Sequence, residues 1–169
     1  WGLFRALYDG QWHDMRKPLA VSLLVGSAWL AVAVASPIWA SVLIWIMLLS
    51  ALVALFLAPV NDQTWAAWPV GLYAGWLSAA SCVSLGLLTA GYGWLDQVTA
   101  ALTFVGLAIF VGCFVQSALG RAPTYGIAVI WALVALVVQN VETAPLVAYV
   151  AGGGALIMLV PTLKAFRAI

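Results

Sequence analysis

The sequence predicts an all-α protein, a polytopic transmembrane helical bundle with about six spans. Of its 169 residues, 66% are hydrophobic and 7% are charged, whereas a soluble domain has roughly 25% charged residues. So few charges cannot cover an ordinary water-facing surface. A helix needs roughly 20 apolar residues to cross the hydrocarbon core of a membrane. Apolar runs of about that length recur along the chain. A transmembrane barrel would instead show short alternating strands.

Proline, glycine and charged residues divide the chain into six apolar runs. The first begins at Pro18 and ends near Ser36-Pro37, because proline is tolerated in a first helical turn and disfavours helix in the residue before it. The other runs are predicted at about 38–58, 67–90, 98–119, 125–139 and 146–163, separated by PVNDQT, GYGWLD, GRAPT and NVETAP. The predicted organisation is an interfacial segment (1–17), one transmembrane domain (18–163) and a tail (164–169). Because the first residue is Trp1 and not Met, we expect the natural chain to start earlier.

The basic residues predict the orientation of the bundle. With six crossings, every Lys and Arg falls on one side: Arg5, Arg16, Lys17, Arg121, Lys164 and Arg167. The other side carries Asp96 and Glu142 and no basic residue. The positive-inside rule makes the basic side cytoplasmic. We therefore expect an integral membrane protein whose basic loops and C-terminus are cytoplasmic.

The same composition argues against several classes of function. None of the six runs contains a charged residue, whereas ion-coupled transporters usually keep one inside the membrane. His13 is the only histidine, and a protein metal site needs three or four ligands. The alternative role for His13 is that of a single axial ligand to a tetrapyrrole metal. Cys82 and Cys113 lie at different predicted depths and are expected to be free thiols. The sequence thus predicts no enzyme, no catalytic residue, no metal site and no nucleic-acid partner.

The third run combines small residues with aromatic ones. Gly71 and Gly75 form a G-x-x-x-G pattern, which lets another helix backbone come close. Gly152, Gly153 and Gly154 of the sixth run are expected to allow the same close approach or a kink, with Gly152 as the candidate packing residue. The weak sterol-contact pattern formed by Arg121, Tyr125 and Val129 only raises a hypothesis. Three amide side chains near the ends of the runs are expected to bond backbone or headgroups: Gln116, Gln139 and Asn140.

Aromatic and hydroxyl side chains suggest a ligand cavity. Tyr73, Trp76 and Ser84 follow one another at helical spacing on the third run, and Trp29 and Trp45 lie deep in the first and second, as Trp131 does in the fifth. We hypothesise that five of these side chains wall a cavity towards the cytoplasmic half and the centre of the bilayer: Trp29, Trp45, Tyr73, Trp76 and Ser84. Indole and phenol rings stack on a flat macrocycle, and their N–H and O–H groups can meet its polar edge. Plain packing between helices is the alternative.

The third run also carries a family resemblance. WPVGLYAGWLSAASCVSLG resembles the last core helix of the TspO/MBR family, the tryptophan-rich sensory proteins, in which Pro69, Tyr73 and Trp76 fit the pattern P-x-x-x-Y-x-x-W. KPLAVSLLVGSAWLAVAVASPIWASVLIWIMLLSALVALFL resembles the two preceding helices of a longer bacterial branch, and YGIAVIWALVALVVQN a later one. The resemblance covers most of residues 17–140 and implies that the family's first helices would lie before Trp1.

The resemblance implies an integral protein of the bacterial inner membrane with a sensory or regulatory role that binds a hydrophobic or tetrapyrrole-like ligand. No cofactor is certain, and a porphyrin-like or haem-like molecule or another apolar ligand is the candidate. The alternative is an accessory subunit of a larger photosynthetic or respiratory membrane complex that packs against partner helices, pigments or lipids. The expected partners are membrane lipids and either further copies of the chain or such a complex.

Overall fold

The computed structural model describes residues 10–168, and these form six α-helices with no strand. A 3-10 turn, Gly10–Trp12, precedes the first helix, and a π-helical turn, Gln63–Ala67, precedes the third. The helices are α1 (His13–Ala35), α2 (Pro37–Leu57), α3 (Trp68–Gly91), α4 (Gln97–Leu119), α5 (Thr124–Asn140) and α6 (Pro145–Arg167). All except α5, which is a shorter apolar helix, are long and apolar enough to cross a membrane. The predicted all-α class is confirmed.

Local side chains end and start these helices where the sequence predicts breaks. Ser36 is extended (φ −153°, ψ 111°), so it separates α1 from α2. The Asp96 carboxylate accepts hydrogen bonds from the backbone N–H groups of Val98 (3.1 Å) and Thr99 (3.0 Å) at the start of α4. Hydrogen bonds from Thr99 lower the pKa of this exposed carboxyl, because they favour its charged form. Gly120 ends α4 with φ +62°, a conformation that favours glycine.

Two predicted helix ends are wrong. The first helix begins at His13 and not at Pro18, which lies inside it. Pro18 cannot donate a helical hydrogen bond, and its ring crowds the carbonyl group of the preceding turn. The buried side chains of Trp12 and Met15 hold this first turn against the protein and offset that cost. At the other end of the chain, α6 continues through Pro161 into the predicted tail and ends at Arg167.

The bundle is built around α3. This helix packs against α2, α4 and α5, while α6 packs against α4 and α5. The first helix lies at the edge, where it packs mainly on α2, and only Met15 and Ser22 of α1 are buried. The first helix therefore has the fewest buried residues of the six.

Two polar contacts bring the basic segments to one end of the bundle. The indole N–H of Trp12 donates to the Asp62 carboxylate (3.0 Å), which joins the start of α1 to the segment after α2. Arg121, between α4 and α5, donates from Nη2 to the carbonyl oxygen of Phe56 (3.0 Å) at the end of α2. Burial lowers the pKa of this guanidinium. The described basic residues share this end, here called the basic end: Arg16, Lys17, Arg121, Lys164 and Arg167.

Candidate ligand groove

Two glycines allow α3 and α5 to lie in close contact. A Cβ atom at Gly71 would lie 2.7 Å from Thr124 Oγ1, and one at Gly75 would lie 2.9 Å from the Cβ of Ala128. The Cβ at Gly75 would also collide with the carbonyl oxygen of Tyr125. The order of these contacts shows that the two helices run in the same direction. Both glycines therefore lie in the interface between α3 and α5.

A groove of about 530 Å³ runs along this interface. Its lining side chains come from α3 and α5 alone: Pro69, Leu72, Tyr73, Trp76, Ile127, Ala128 and Trp131. Trp76 is 56% exposed and Trp131 is 69% exposed, so both rings face outward from the bundle. At about 1.5 Å per residue, Trp76 lies roughly 12 Å along α3 from its first residue. The groove thus occupies the half of the bundle nearest the basic end.

Tyr73 contributes its ring to the groove, whereas its hydroxyl is bonded elsewhere. The hydroxyl lies 3.0 Å from Ser22 Oγ on α1, and Ser22 donates its own proton to the carbonyl oxygen of Met47 on α2 (2.8 Å). Because a serine hydroxyl has one proton, Tyr73 is the donor in its bond to Ser22. The Tyr73 proton is consequently not available to a molecule in the groove.

The two tryptophans keep free polar groups. Within residues 10–168, the indole N–H of neither Trp76 nor Trp131 has a hydrogen-bond partner, and the indole N–H can only donate. Apart from Tyr73, whose hydroxyl is already bonded, the other lining side chains are aliphatic or proline. The free side-chain polar groups of the groove are therefore two hydrogen-bond donors, with no carboxylate, imidazole or thiol beside them.

The other three predicted cavity residues lie elsewhere. The Trp29 indole N–H donates to the carbonyl oxygen of Ala40 (3.0 Å) and joins α1 to α2. Ser84 and Ser41 share a hydrogen bond of 2.6 Å between α3 and α2. The indole N–H of Trp45 is buried without a partner in the described part of the chain. The structure thus brings Tyr73 and Trp76 together with Trp131, and places Trp29, Trp45 and Ser84 outside the groove.

The close approach of α6 to its neighbours occurs at Gly154. A Cβ there would collide with the side chain of Ile109 on α4, whereas a Cβ at Gly152 would meet only Val137, at an ordinary 3.7 Å. The close approach thus lies within the predicted glycine triplet, but at its third residue, because three consecutive glycines do not show in the sequence which of them faces a neighbouring helix.

The remaining candidate residues do not form a second polar site. Tyr125 and Val129 of the sterol-contact pattern are buried inside the bundle, so their side chains do not meet membrane lipid. His13 is exposed, and the described residues contain no group of three metal-ligating side chains. Cys82 and Cys113 are free thiols.

A second groove, of about 540 Å³, lies on α4, and the side chains of Phe110 and Phe114 are part of its lining.

Six apolar helices, hydroxyl pairs between helices and a lipid-facing aromatic groove define a polytopic integral membrane protein. The family model described as TSPO-like protein matches residues 6–163, which is most of the chain. The chain belongs to the TSPO-like protein family. No curated protein and no solved structure matched it.

Proposed function

We propose that this TSPO-like membrane protein binds a flat, apolar, tetrapyrrole-like ligand in the groove between α3 and α5 and has a sensory or regulatory role. The observation that carries the proposal is the pair of exposed indoles, Trp76 and Trp131, on either side of the groove. Ligand pockets are typically about 300–1,000 Å³ and mostly apolar with a few polar groups, and this groove has about 530 Å³ and such a lining. Aromatic faces stack on flat rings.

The contacts around the groove fix its shape before a ligand binds. Gly71 and Gly75 hold α3 against α5, and the bond from Tyr73 to Ser22 holds the Tyr73 ring in place. Because rigid elements set the distance between the rings, binding would need little ordering of side chains. A ligand that contacts Tyr73 would also lie next to the bond that joins α3 to α1.

The test is equilibrium binding of protoporphyrin to the protein in lipid nanodiscs, with empty nanodiscs subtracted. We expect saturable binding to the wild type and at least tenfold weaker binding to the variant carrying Trp76→Ala and Trp131→Ala. Ligand absorbance should be the readout, because the substitutions remove two of the ten tryptophans and so change the protein fluorescence itself. The control is the variant with Trp39→Ala and Trp94→Ala, whose indoles are as exposed (63% and 66%) but lie at the opposite end of the bundle.

The alternative is an accessory subunit of a larger membrane complex. The specific observation in its favour is α1, of which only Met15 and Ser22 are buried, so most of its apolar surface is open to a partner helix. Purification in mild detergent distinguishes the two proposals. Stoichiometric co-purified polypeptides, together with no saturable protoporphyrin binding, would favour the subunit and reject the groove as a ligand site.

A further inference from the structure

We infer that the groove selects a flat aromatic molecule with carbonyl-type oxygen acceptors on its edge, as in a quinone, and that it recognises the ring system without binding a metal at its centre. The inference rests on the proposed function, since it names the chemical class of the ligand for the same groove. Two properties of the lining residues support it: they have free hydrogen-bond donors, and they have no side chain free to coordinate a metal.

The first property is the pair of unpartnered donors. The indole N–H groups of Trp76 and Trp131 have no protein partner in the part of the chain that the structure describes. In a hydrocarbon environment an unpaired polar group costs free energy that a hydrogen bond recovers. An indole N–H cannot accept, so only a ligand that brings acceptors satisfies both groups. A ligand whose edge carries only donors would leave its own groups unpaired as well.

The two donors also come from different helices at similar depth. Gly75 of α3 contacts Ala128 of α5, so Trp76 and Trp131 lie within about one helical turn of the same level. A rigid ring between them could present one oxygen to each helix. The third aromatic lining residue, Tyr73, adds a ring face only, because its proton is bonded to Ser22.

The second property is the lack of metal ligands. Imidazole, thiolate, thioether and phenolate are the side chains that hold haem iron. Among the described residues that line the groove, the only one of these types is Tyr73, and its oxygen is directed to Ser22 on α1. A haem in the groove would therefore receive no axial ligand from the protein.

A matched pair of probes tests the acceptor requirement. Anthraquinone and anthracene share three fused rings and differ by two carbonyl oxygens. Each is partitioned into nanodiscs that carry the protein, with empty nanodiscs of the same lipid subtracted. Since a net hydrogen bond changes an equilibrium constant by about two- to tenfold, we expect anthraquinone to bind the wild type about three- to tenfold more tightly than anthracene.

The variant with Trp76→Phe and Trp131→Phe keeps two aromatic rings and removes both N–H groups. We expect anthraquinone to fall to the affinity of anthracene, whose own affinity changes less than twofold. The control with Trp39→Phe and Trp94→Phe, at the opposite end, should keep the preference. An unchanged melting temperature for each variant shows that the fold is intact.

The outcomes separate the inference from the proposed function. Equal binding of the two probes by the wild type, or a preference that survives in the Trp76/Trp131 double Phe variant, overturns the acceptor requirement while protoporphyrin binding can still stand. Haem whose Soret and Q bands are those of an iron coordinated by a protein side chain, and which empty nanodiscs do not produce, overturns the statement on the metal. If neither probe nor protoporphyrin shows saturable binding, both the inference and the proposed function fail.

Discussion

A single amide side chain links three segments near the basic end. Gln116 is fully buried in α4. Its Nε2 donates to the carbonyl oxygen of Arg121 (3.0 Å), and its Oε1 accepts from the backbone N–H of Gly126 (2.8 Å). Gly126 lies in the first turn of α5, where backbone N–H groups have no partner within the helix. Gln116 therefore caps the helix that forms one wall of the groove.

Replacing Gln116 tests this capping role. Gln116→Leu keeps the approximate volume but leaves one N–H and one carbonyl group unpaired, and each such buried group costs about 1–3 kcal/mol. We expect a clearly lower melting temperature in detergent. Gln139→Leu is the matched control, because Gln139 is exposed at the other end of the bundle, and it should melt as the wild type does. Equal melting of both variants would show that water replaces the amide.

At the scale of the helices, contact between α3 and α5 depends on glycine. Gly75→Leu would place a branched side chain where even a Cβ meets Ala128 at 2.9 Å. Overpacking of this kind typically costs about 1–3 kcal/mol, so we expect reduced thermal stability and, because the helices separate, altered ligand binding. Gly106→Leu is the control, since a Cβ at Gly106 has nothing within 4 Å. An unchanged melting temperature for Gly75→Leu would mean that the two helices are not in contact.

The helices themselves could be predicted from the sequence, but their partners could not. Ser36-Pro37, Asp96 and Gly120 interrupt the apolar runs through local chemistry, so most ends are predicted to within a few residues. The start of α1 and the end of α6 are the exceptions: packing keeps Pro18 inside α1, and α6 extends to Arg167. The groove depends on which helices are neighbours. The spacing of Tyr73 and Trp76 predicts that both line a cavity, but nothing in the sequence pairs them with Trp131 of α5.

Ser84 and Trp29 show the same limit for side chains. Hydroxyl and indole groups at helical spacing fit a cavity wall and a helix interface equally well, since both need hydrogen-bond partners in an apolar environment. The structure gives them partners on α2: Ser41 for Ser84 and the carbonyl oxygen of Ala40 for Trp29. Only the three-dimensional arrangement separates these structural hydroxyl and indole groups from those that remain free in the groove.

At the scale of the whole molecule, the arrangement of charge predicts the orientation in the membrane. Six consecutive helices place residues 58–62 and 120–123 at the basic end, and residues 92–96 and 141–144 at the opposite end. The basic end holds every described Lys and Arg, whereas the opposite end has Asp96 and Glu142. Basic residues are retained on the cytoplasmic side during insertion. The groove would then open in the cytoplasmic leaflet.

Reporter fusions test this orientation. Alkaline phosphatase, which is active only outside the cytoplasm, should be active when fused within 92–96 or 141–144 and inactive within 58–62 or 120–123. A cytoplasmic fluorescent reporter should give the opposite pattern. A complete reversal at all four positions would leave the six-helix fold intact and move the groove to the outer leaflet. A mixed pattern would contradict the fold itself, most directly at α5, because this helix is the shortest and its loss as a span would move 141–144 to the side of 120–123.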